Sequence, residues 1–141
     1  MALAEVFVDA GAWVSIAVQG DQYHRVATAV FDRLARERVP LVTTNLVVAE
    51  AYVLIYRWSD SRRAIAFLRS LRQSSRLLRV YSTAELEVQA EEILTRYSDH
   101  DFSLVDAVSF AVMRQRGIGA AFAFDRHFST AGFTLVPDVS P

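Results

Sequence analysis

Apolar residues follow two patterns along the chain, and each pattern predicts one kind of element. Short apolar runs bounded by polar or turn residues predict strands over residues 5–9, 41–43, 77–81, 120–124 and 133–136. Segments in which apolar residues recur every three or four positions predict helices over residues 21–38, from about 45 to 58, 62–72, 82–97 and 103–116, with briefer helical pieces over 11–18 and 126–131. Strands and helices therefore alternate along the chain.

Polar residues next to these segments predict where helices begin. The cluster Thr43, Thr44 and Asn45 suits the cap of the helix that runs to about residue 58, and Ser82 with Glu85 resembles a capping box. The alternation of strands and helices predicts an α/β fold with a mainly parallel sheet covered on both faces. In such sheets, ligands bind at the carboxyl ends of the strands, near the point where the strand order reverses.

The composition indicates one folded domain, residues 1–141, and excludes several kinds of chemistry. With 141 residues and 52% hydrophobic residues, the chain has enough apolar side chains for one core. It has neither the apolar run of roughly twenty residues that a membrane helix needs nor a signal-peptide pattern, so we expect a cytoplasmic protein. The absence of Cys excludes disulfides, thiolate zinc sites and cysteine nucleophiles, and the absence of Lys excludes a catalytic lysine.

The net charge of −1 conceals an uneven distribution of charge. Residues 57–79 contain seven arginines and a single acid, whereas the rest of the chain has more acids than arginines. The sequence therefore allows a basic surface and an acidic centre in the same domain.

Four carboxylates interrupt or directly follow apolar segments. Glu50 and Asp106 are each the single charge in a long apolar stretch, and Asp9 and Asp125 each follow a predicted strand. A buried carboxylate without a partner costs several kcal/mol, and these stretches contain no basic residue to compensate it. If both helices start at the edge where both strands end, the four carboxylates converge. Mg²⁺ or Mn²⁺, which prefer oxygen ligands, is then the expected counter-charge.

Three of the four acids also have a simpler interpretation, which is that they cap helices. Asp106 could complete a capping box with Ser103, Asp125 could cap the short helix that follows it, and Asp9 could cap the first helical piece. Glu50 lies about five residues inside its predicted helix, where capping does not explain it. Four such residues in one small domain favour a shared site.

Two residues near these acids have open roles. Asp101 precedes the helix that Ser103 opens, where it is either an accessory ligand or part of a loop surface. His127 lies beside Asp125, where it either orients the site or has no role. The sequence has no phosphate-binding glycine motif, no GxSxG and no paired-histidine metal motif.

The segments VFVDAGAW, TNLVVAEAY and SLVDAVSFAVMRQRGIGAAFAFDRHFSTAGF resemble the PIN domain family, and in particular its VapC-type toxin ribonucleases. The resemblance implies a three-layer α/β/α fold and a metal-dependent endoribonuclease, the toxin half of a toxin–antitoxin pair. It implies tRNA or ribosomal RNA as substrate and a small antitoxin protein as partner. The four acids of the family correspond to Asp9, Glu50, Asp106 and Asp125.

The chain departs from the family where relatives often carry Thr or Ser near the first and last acids. It has Ala10 and Ala123 at those positions, so hydroxyl support of the metal must come from elsewhere. Thr44, at the start of the helix that carries Glu50, could supply one hydroxyl.

An acidic cluster repels RNA, so the substrate backbone needs cationic groups nearby. Four arginines stand at helical intervals of seven, three and four and form a candidate phosphate-binding stripe: Arg62, Arg69, Arg72 and Arg76. Arg126, beside an acid of the site, is another candidate. The alternative is that the stripe is only a solvated arginine face.

We also expect a homodimer that a small antitoxin binds and silences. The helix of Glu50 carries more large apolar residues than one face can bury in a small domain: Tyr52, Val53, Ile55, Tyr56 and Trp58. An antitoxin could insert an Arg among the four carboxylates in place of the metal. The alternative function is a PIN-like module that binds RNA or protein without cutting; a receiver-type domain would require a lysine, and a haloacid-dehalogenase-like phosphatase would require Asp-x-Asp.

Overall fold

The computed structural model describes residues 4–138 and places five parallel strands in one sheet. The strands are β1 (Val6–Val8), β2 (Leu41–Thr44), β3 (Leu77–Val80), β4 (Ala120–Phe122) and β5 (Thr134–Val136), in the order β3-β2-β1-β4-β5. Parallel pairing aligns the strand starts, with Val6 opposite both Leu41 and Ala120. The sheet is wholly parallel, as the alternating pattern indicates.

Helices connect the strands within the described residues. They are α1 (Ala10–Ala17), α2 (His24–Arg36), α3 (Asn45–Trp58), α4 (Ser61–Gln73), α5 (Ala84–Arg96), α6 (Leu104–Arg116) and α7 (His127–Thr130). α3 packs against α1 and α4, while α5 packs against α6. In residues 4–138, each helix is too short or too polar to cross a bilayer.

Two aromatic clusters fill the core. Trp13 of α1 packs against Phe31 of α2 and Phe67 of α4, with ring centroids 6.2 and 5.8 Å away. Phe128 of α7 packs against Phe7 of β1 and against a phenylalanine of α6, at 6.1 and 5.1 Å. The helices thus cover both faces of the sheet in an α/β/α arrangement, which confirms the fold expected from the sequence.

Two helix starts differ from those predicted. Residue 21 lies outside α2 because the Asp21 carboxylate accepts hydrogen bonds from the Ser15 hydroxyl at 2.7 Å and the Tyr23 N–H at 2.9 Å, which closes a loop. The capping box predicted for Ser82 and its partner three residues on is wrong. The Ser82 N–H instead donates to Asn45 Oδ1 at 2.8 Å, and Thr83 caps α5 one residue later.

The strand order reverses at β1, which lies between β2 and β4. α1 begins directly after β1, and α3 begins directly after β2 with Thr44 as its N-cap. The amino-terminal ends of these two helices therefore lie at the carboxyl edge of the sheet. A ligand site is expected there.

Candidate active site

The four predicted acids come together at the carboxyl edge of the sheet. Asp9 occupies the N-cap position of α1, and Asp106 lies in the first turn of α6. Glu50 lies in the second turn of α3, and Asp125 follows β4. The charges of the other three carboxylates act on Asp9, so the convergence inferred from the sequence is present in the structure.

The four side chains differ in their exposure to solvent. Asp9 and Asp106 are buried, with 6% and 8% of their surface exposed, whereas Glu50 and Asp125 are exposed. The apolar stretch around Glu50 suggests burial, but α3 turns its buried residues towards the core and leaves Glu50 on the outer side. The site therefore has a buried floor and an open rim.

Asp106 both caps its own helix and faces the site. Its Oδ2 accepts the Ser103 N–H at 3.1 Å, while the Ser103 hydroxyl accepts the Asp106 N–H at 3.0 Å. This is the capping box that the sequence offers as a simpler interpretation. The same Oδ2 also contacts His127 Nδ1 at 2.8 Å, so the cap and the site share one carboxylate.

Asp125 and His127 form the exposed side of the cluster. Asp125 Oδ1 accepts the backbone N–H of His127 at 2.9 Å, and its Oδ2 lies 3.3 Å from His127 Nδ1. In the tautomer that carries its proton on Nδ1, His127 donates to Asp106 Oδ2. Sequence reasoning left His127 without a definite role; the DRH spacing next to a predicted acid was the available signal.

A stacked aromatic pair supports the segment before Asp125. The ring of Phe124 lies parallel to that of Tyr23, with centroids 4.4 Å apart and planes within 1°. The Thr43 hydroxyl of β2 donates to the Val8 carbonyl of β1 at 2.9 Å. The Asp9 N–H donates to the Phe122 carbonyl at 3.0 Å and holds the end of β1 beside β4.

The remaining predicted residues lie around this cluster or away from it. Thr44 is buried, and its hydroxyl accepts the Val47 N–H at 3.1 Å as the cap of α3. Asp101 is exposed in the segment before α6, and Arg126 is exposed between the two outer members of the cluster. Thr44 therefore already has a structural function, whereas the charges of Asp101 and Arg126 face solvent.

The arginine stripe is shorter than the sequence spacing suggests. Arg62, Arg69 and Arg72 are exposed on α4, which ends at residue 73. Arg76 lies beyond that end, and its guanidinium donates to the Ala35 carbonyl at the end of α2. The prediction that Arg76 continues the helical stripe is wrong, because the helix stops before reaching it.

Burial and neighbouring charges make Asp9 and Glu50 harder to ionise than ordinary carboxyl groups, because they raise the pKa of each. Burial first, and then the charges of Asp106, Glu50 and Asp125, raise the pKa of Asp9 to about 7, although the Ala10 backbone N–H opposes this. Desolvation and the charges of Asp106 and Asp125 also raise the pKa of Glu50. The site therefore favours a proton or a cation over a full set of bare negative charges.

This shift predicts how the stability of the metal-free protein depends on pH. Because the folded pKa of Asp9 lies above its ordinary value of 3.8, the folded state binds the proton more tightly, and its stability falls as pH rises from about 4 to about 7. Asp9→Asn removes this contribution. Thermal unfolding in EDTA should show a smaller decrease in Tm over that range for Asp9→Asn than for the wild type; parallel curves would contradict the assignment.

Two acids of the cluster and His127 bring possible metal-binding atoms close together. Asp106, Asp125 and His127 each offer one ligand atom, and these atoms lie within 4.8 Å of one another. Carboxylate oxygens are the ligands that Mg²⁺ and Mn²⁺ favour. Within residues 4–138, His127 is the only partner with which the four acids form ion pairs, and it pairs with Asp106 and Asp125. Most of the negative charge of the four acids is therefore left for a metal.

The chain matches known proteins over almost its whole length. The PIN domain family matches residues 6–134. The 23S rRNA-specific endonuclease VapC20 of Mycobacterium tuberculosis is 41% identical over 132 residues, which cover 93% of this chain and 97% of VapC20.

Solved structures agree with these matches. The crystal structure of M. tuberculosis VapC20, a sarcin-ricin loop cleaving toxin, has a TM-score of 0.81 at 39% identity and covers 92% of this chain and 96% of its own. PAE2754 from Pyrobaculum aerophilum has a TM-score of 0.64 at 18% identity and covers 97% of this chain and 92% of its own. FitAcB from Neisseria gonorrhoeae has a TM-score of 0.60 at 18% identity, and the match covers 92% of this chain and 95% of the FitAcB chain.

The last two structures share only the fold, whereas VapC20 shares sequence and fold. The family match and the VapC20 match both extend over nearly the whole chain. Together with the parallel sheet and its acidic carboxyl edge, they show that the chain belongs to the PIN domain family and resembles its VapC-type toxins.

Proposed function

We propose that this protein is a metal-dependent endoribonuclease, the toxin of a toxin–antitoxin pair, and that its active site is the cluster of Asp9, Glu50, Asp106 and Asp125. The observation that carries this proposal is the convergence of these four carboxylates, two of them buried, at the carboxyl edge of the sheet. The similarity to an RNA endonuclease over 93% of the chain supports it.

The four acids have different roles in the proposed site. Asp9 and Asp106 are held in place by burial and by helix starts, so their carboxylates form its fixed part. Glu50 and Asp125 are exposed, so in this proposal the RNA binds on their side of the site. A divalent ion bound by these residues would supply a Lewis acid that lowers the pKa of a bound water and stabilises the charge on the leaving oxygen.

His127 has a positioning role in this proposal. Its ring lies between Asp106 and Asp125, in contact with both carboxylates. It thereby fixes the direction in which Asp125 points into the site, as outer partners of metal ligands commonly do. Mg²⁺ is the ion we propose, with Mn²⁺ as the alternative.

Ribosomal RNA is the substrate to test first. VapC20, at 41% identity, is named as a 23S rRNA-specific endonuclease, and we propose the same class of RNA for this chain. Purified protein with Mg²⁺ should cleave an RNA hairpin carrying the sarcin-ricin loop and leave tRNA intact. Cleavage of neither RNA, under conditions in which the protein is folded, would favour a PIN module without nuclease activity.

The arginine face of α4 is proposed to bind the RNA backbone. Changing Arg69 and Arg72 together to Ala should weaken RNA binding and reduce the slope of log affinity against log salt by roughly one unit for each lost phosphate contact. Arg96→Ala in α5 is the matched control for loss of a charge. An unchanged slope would show that the α4 face is only solvated.

We propose that the protein forms a homodimer through the exposed side chains in the second half of α3, beyond the turn that carries Glu50. Val53 and Tyr56 are exposed there by 49% and 54%, whereas Ile55, which the sequence also offered, is buried in the core. Light scattering at micromolar concentration should give twice the monomer mass. Val53→Glu should yield a monomer, and Val26→Glu on α2 should not. A monomeric wild type would reject this interface.

A small antitoxin is the proposed partner that silences the site. An Arg side chain inserted among the four carboxylates would pair their charge and exclude the metal. The expected observation is co-purification with a small basic-tailed protein from the native host. Growth that is unaffected by expression of this chain alone would count against the toxin function.

A further inference from the structure

A cleft of about 580 Å³ lies between the α1–α2 loop and the α3–α4 turn. Its lining includes the apolar side chains of Val14, Val18 and Trp58. A volume of this size is typical of sites that take a small ligand or one unit of a polymer. The cleft does not include any of the four acids, so it is separate from the proposed active site.

Trp58 is the most exposed large apolar side chain in the described part of the chain, at 69%. At 100° per residue, it lies on the same side of α3 as the buried Ala51 and about 160° from Tyr56. It is therefore not part of the proposed dimer surface. Trp58 is the last residue of α3, and Ser59 terminates the helix directly after it.

The rest of the cleft carries hydrogen-bonding groups and a cation. Gln19 and Gln22 are exposed, and their amide side chains have no hydrogen-bond partner among the described residues. The guanidinium of Arg63 pairs with Asp60 at 2.6 Å at the start of α4. An exposed indole, free amides and a guanidinium are the groups that recognise unpaired nucleobases: aromatic rings stack on them, and amides bond their edges.

The wall formed by the α1–α2 loop is held in shape. Asp21 accepts hydrogen bonds from the Ser15 hydroxyl and the Tyr23 N–H, and His24 Nδ1 bonds the Ser15 carbonyl at 2.8 Å. These bonds tie the loop to α1 at one end and to α2 at the other. The cleft is therefore a preformed feature, which reduces the entropy lost on binding.

The helices that form the cleft also lead to the acids. Val14 follows Asp9 by five residues and Trp58 follows Glu50 by eight, so the cleft lies about 8 Å and about 12 Å further along α1 and α3. Arg57, one residue before Trp58, lies on nearly the same side of α3 as Glu50. A strand of RNA whose phosphate lies at the acids would place a neighbouring nucleotide at the cleft.

We propose that this cleft is a binding subsite for an unpaired nucleobase of the RNA substrate, with Trp58 as the stacking platform and Gln19 and Gln22 as contacts to the base edge. The proposal rests on the proposed function and adds a determinant of substrate choice. An RNA with an unpaired nucleotide near the cut would bind better than one in which that nucleotide is paired.

The test compares Trp58→Ala with Trp58→Phe, and with Tyr81→Ala as a control that removes an equally exposed ring outside the cleft. Cleavage of the RNA hairpin that carries the sarcin-ricin loop, in Mg²⁺, should show a KM roughly 5- to 100-fold higher for Trp58→Ala with little change in kcat, since stacking is lost while the acids are intact. Trp58→Phe should restore most of the affinity. Tyr81→Ala should behave as the wild type.

A binding measurement in EDTA separates base stacking from backbone contact. The chain has two tryptophans, and Trp13 is only 4% exposed, so quenching of the exposed emission by the oligonucleotide reports on Trp58. Trp58→Ala lacks this indole, so the affinities of the two proteins are compared by fluorescence anisotropy of a labelled oligonucleotide. An oligonucleotide of abasic residues should bind wild type and Trp58→Ala equally, whereas the one with bases should distinguish them.

The outcomes separate this inference from the function on which it rests. If the wild type cleaves RNA and Trp58→Ala has an unchanged KM and the wild-type preference for bases, the subsite is rejected and the nuclease stands. If Trp58→Ala instead changes only the mass seen by light scattering, the cleft is a protein contact and the subsite is rejected. A wild type that neither binds nor cuts RNA overturns both.

Discussion

Asp9→Asn and Asp106→Asn are each expected to lower the rate of RNA cleavage by roughly 100-fold or more and to abolish toxicity. Each change removes a buried negative charge that would bind the metal, and such charges supply several kcal/mol of transition-state stabilisation. The fold should persist, because the amide has nearly the volume of the carboxyl. In Asp106→Asn the amide oxygen can still accept the Ser103 N–H and so preserve the cap of α6. Cleavage should be measured at fixed Mg²⁺ with initial rates.

Asp32→Asn is the control for this experiment. Asp32 is an exposed acid on α2, remote in sequence from the cluster, and its change removes the same charge without touching the site. Its cleavage rate should equal that of the wild type. Wild-type rates in both Asp9→Asn and Asp106→Asn, with all proteins folded by circular dichroism, would reject the four acids as the active site.

Removal of the metal should have the second large effect. EDTA should stop cleavage, and addition of Mg²⁺ or Mn²⁺ at about 100 times its dissociation constant should stabilise the wild type by about 2.7 kcal/mol, or about 5–10 °C in Tm. Asp9→Asn should gain far less from the ion. In the absence of metal, however, Asp9→Asn should melt at a higher temperature than the wild type, because it relieves repulsion in the cluster.

Thermal unfolding of the three proteins, with and without the ion, checks this prediction. Asp32→Asn should show the full stabilisation by Mg²⁺. Equal shifts in wild type and Asp9→Asn would place the metal elsewhere, and cleavage that continues in EDTA would exclude a metal-dependent reaction.

Sequence patterns were enough to locate the helices, the strands and the four acids, because each of them is marked by residues close together in the sequence. The cap at Thr44, the helix of Glu50 and the acid after β1 can each be located within a few residues of sequence. The convergence of the acids also followed, since parallel strands bring their carboxyl ends to one edge. The order of the strands in the sheet could not be predicted from the sequence, because it depends on pairings between distant segments.

The features that sequence analysis missed depend on tertiary contacts. Ser82 looks like a helix cap, but its N–H bonds Asn45 on another helix, which moves the start of α5 to Thr83. The arginine spacing continues through Arg76, yet α4 ends at residue 73. The role of His127 became visible only when the turn after β4 placed its ring beside α6. None of these contacts produces a periodic pattern of residues in the sequence, so none could be predicted from it.

The four acids come from segments as far apart as positions 9 and 125, and β4 pairs directly with β1. A nascent chain shorter than about 125 residues therefore carries an incomplete set of ligands, and its central strand lacks one of its two partners. The proposed nuclease activity can arise only after residue 125 has been synthesised and β4 has paired with β1. For an enzyme proposed to cut ribosomal RNA, this topology keeps the translating ribosome from being cleaved by the nascent chain until the segment that carries the last acid has emerged and folded.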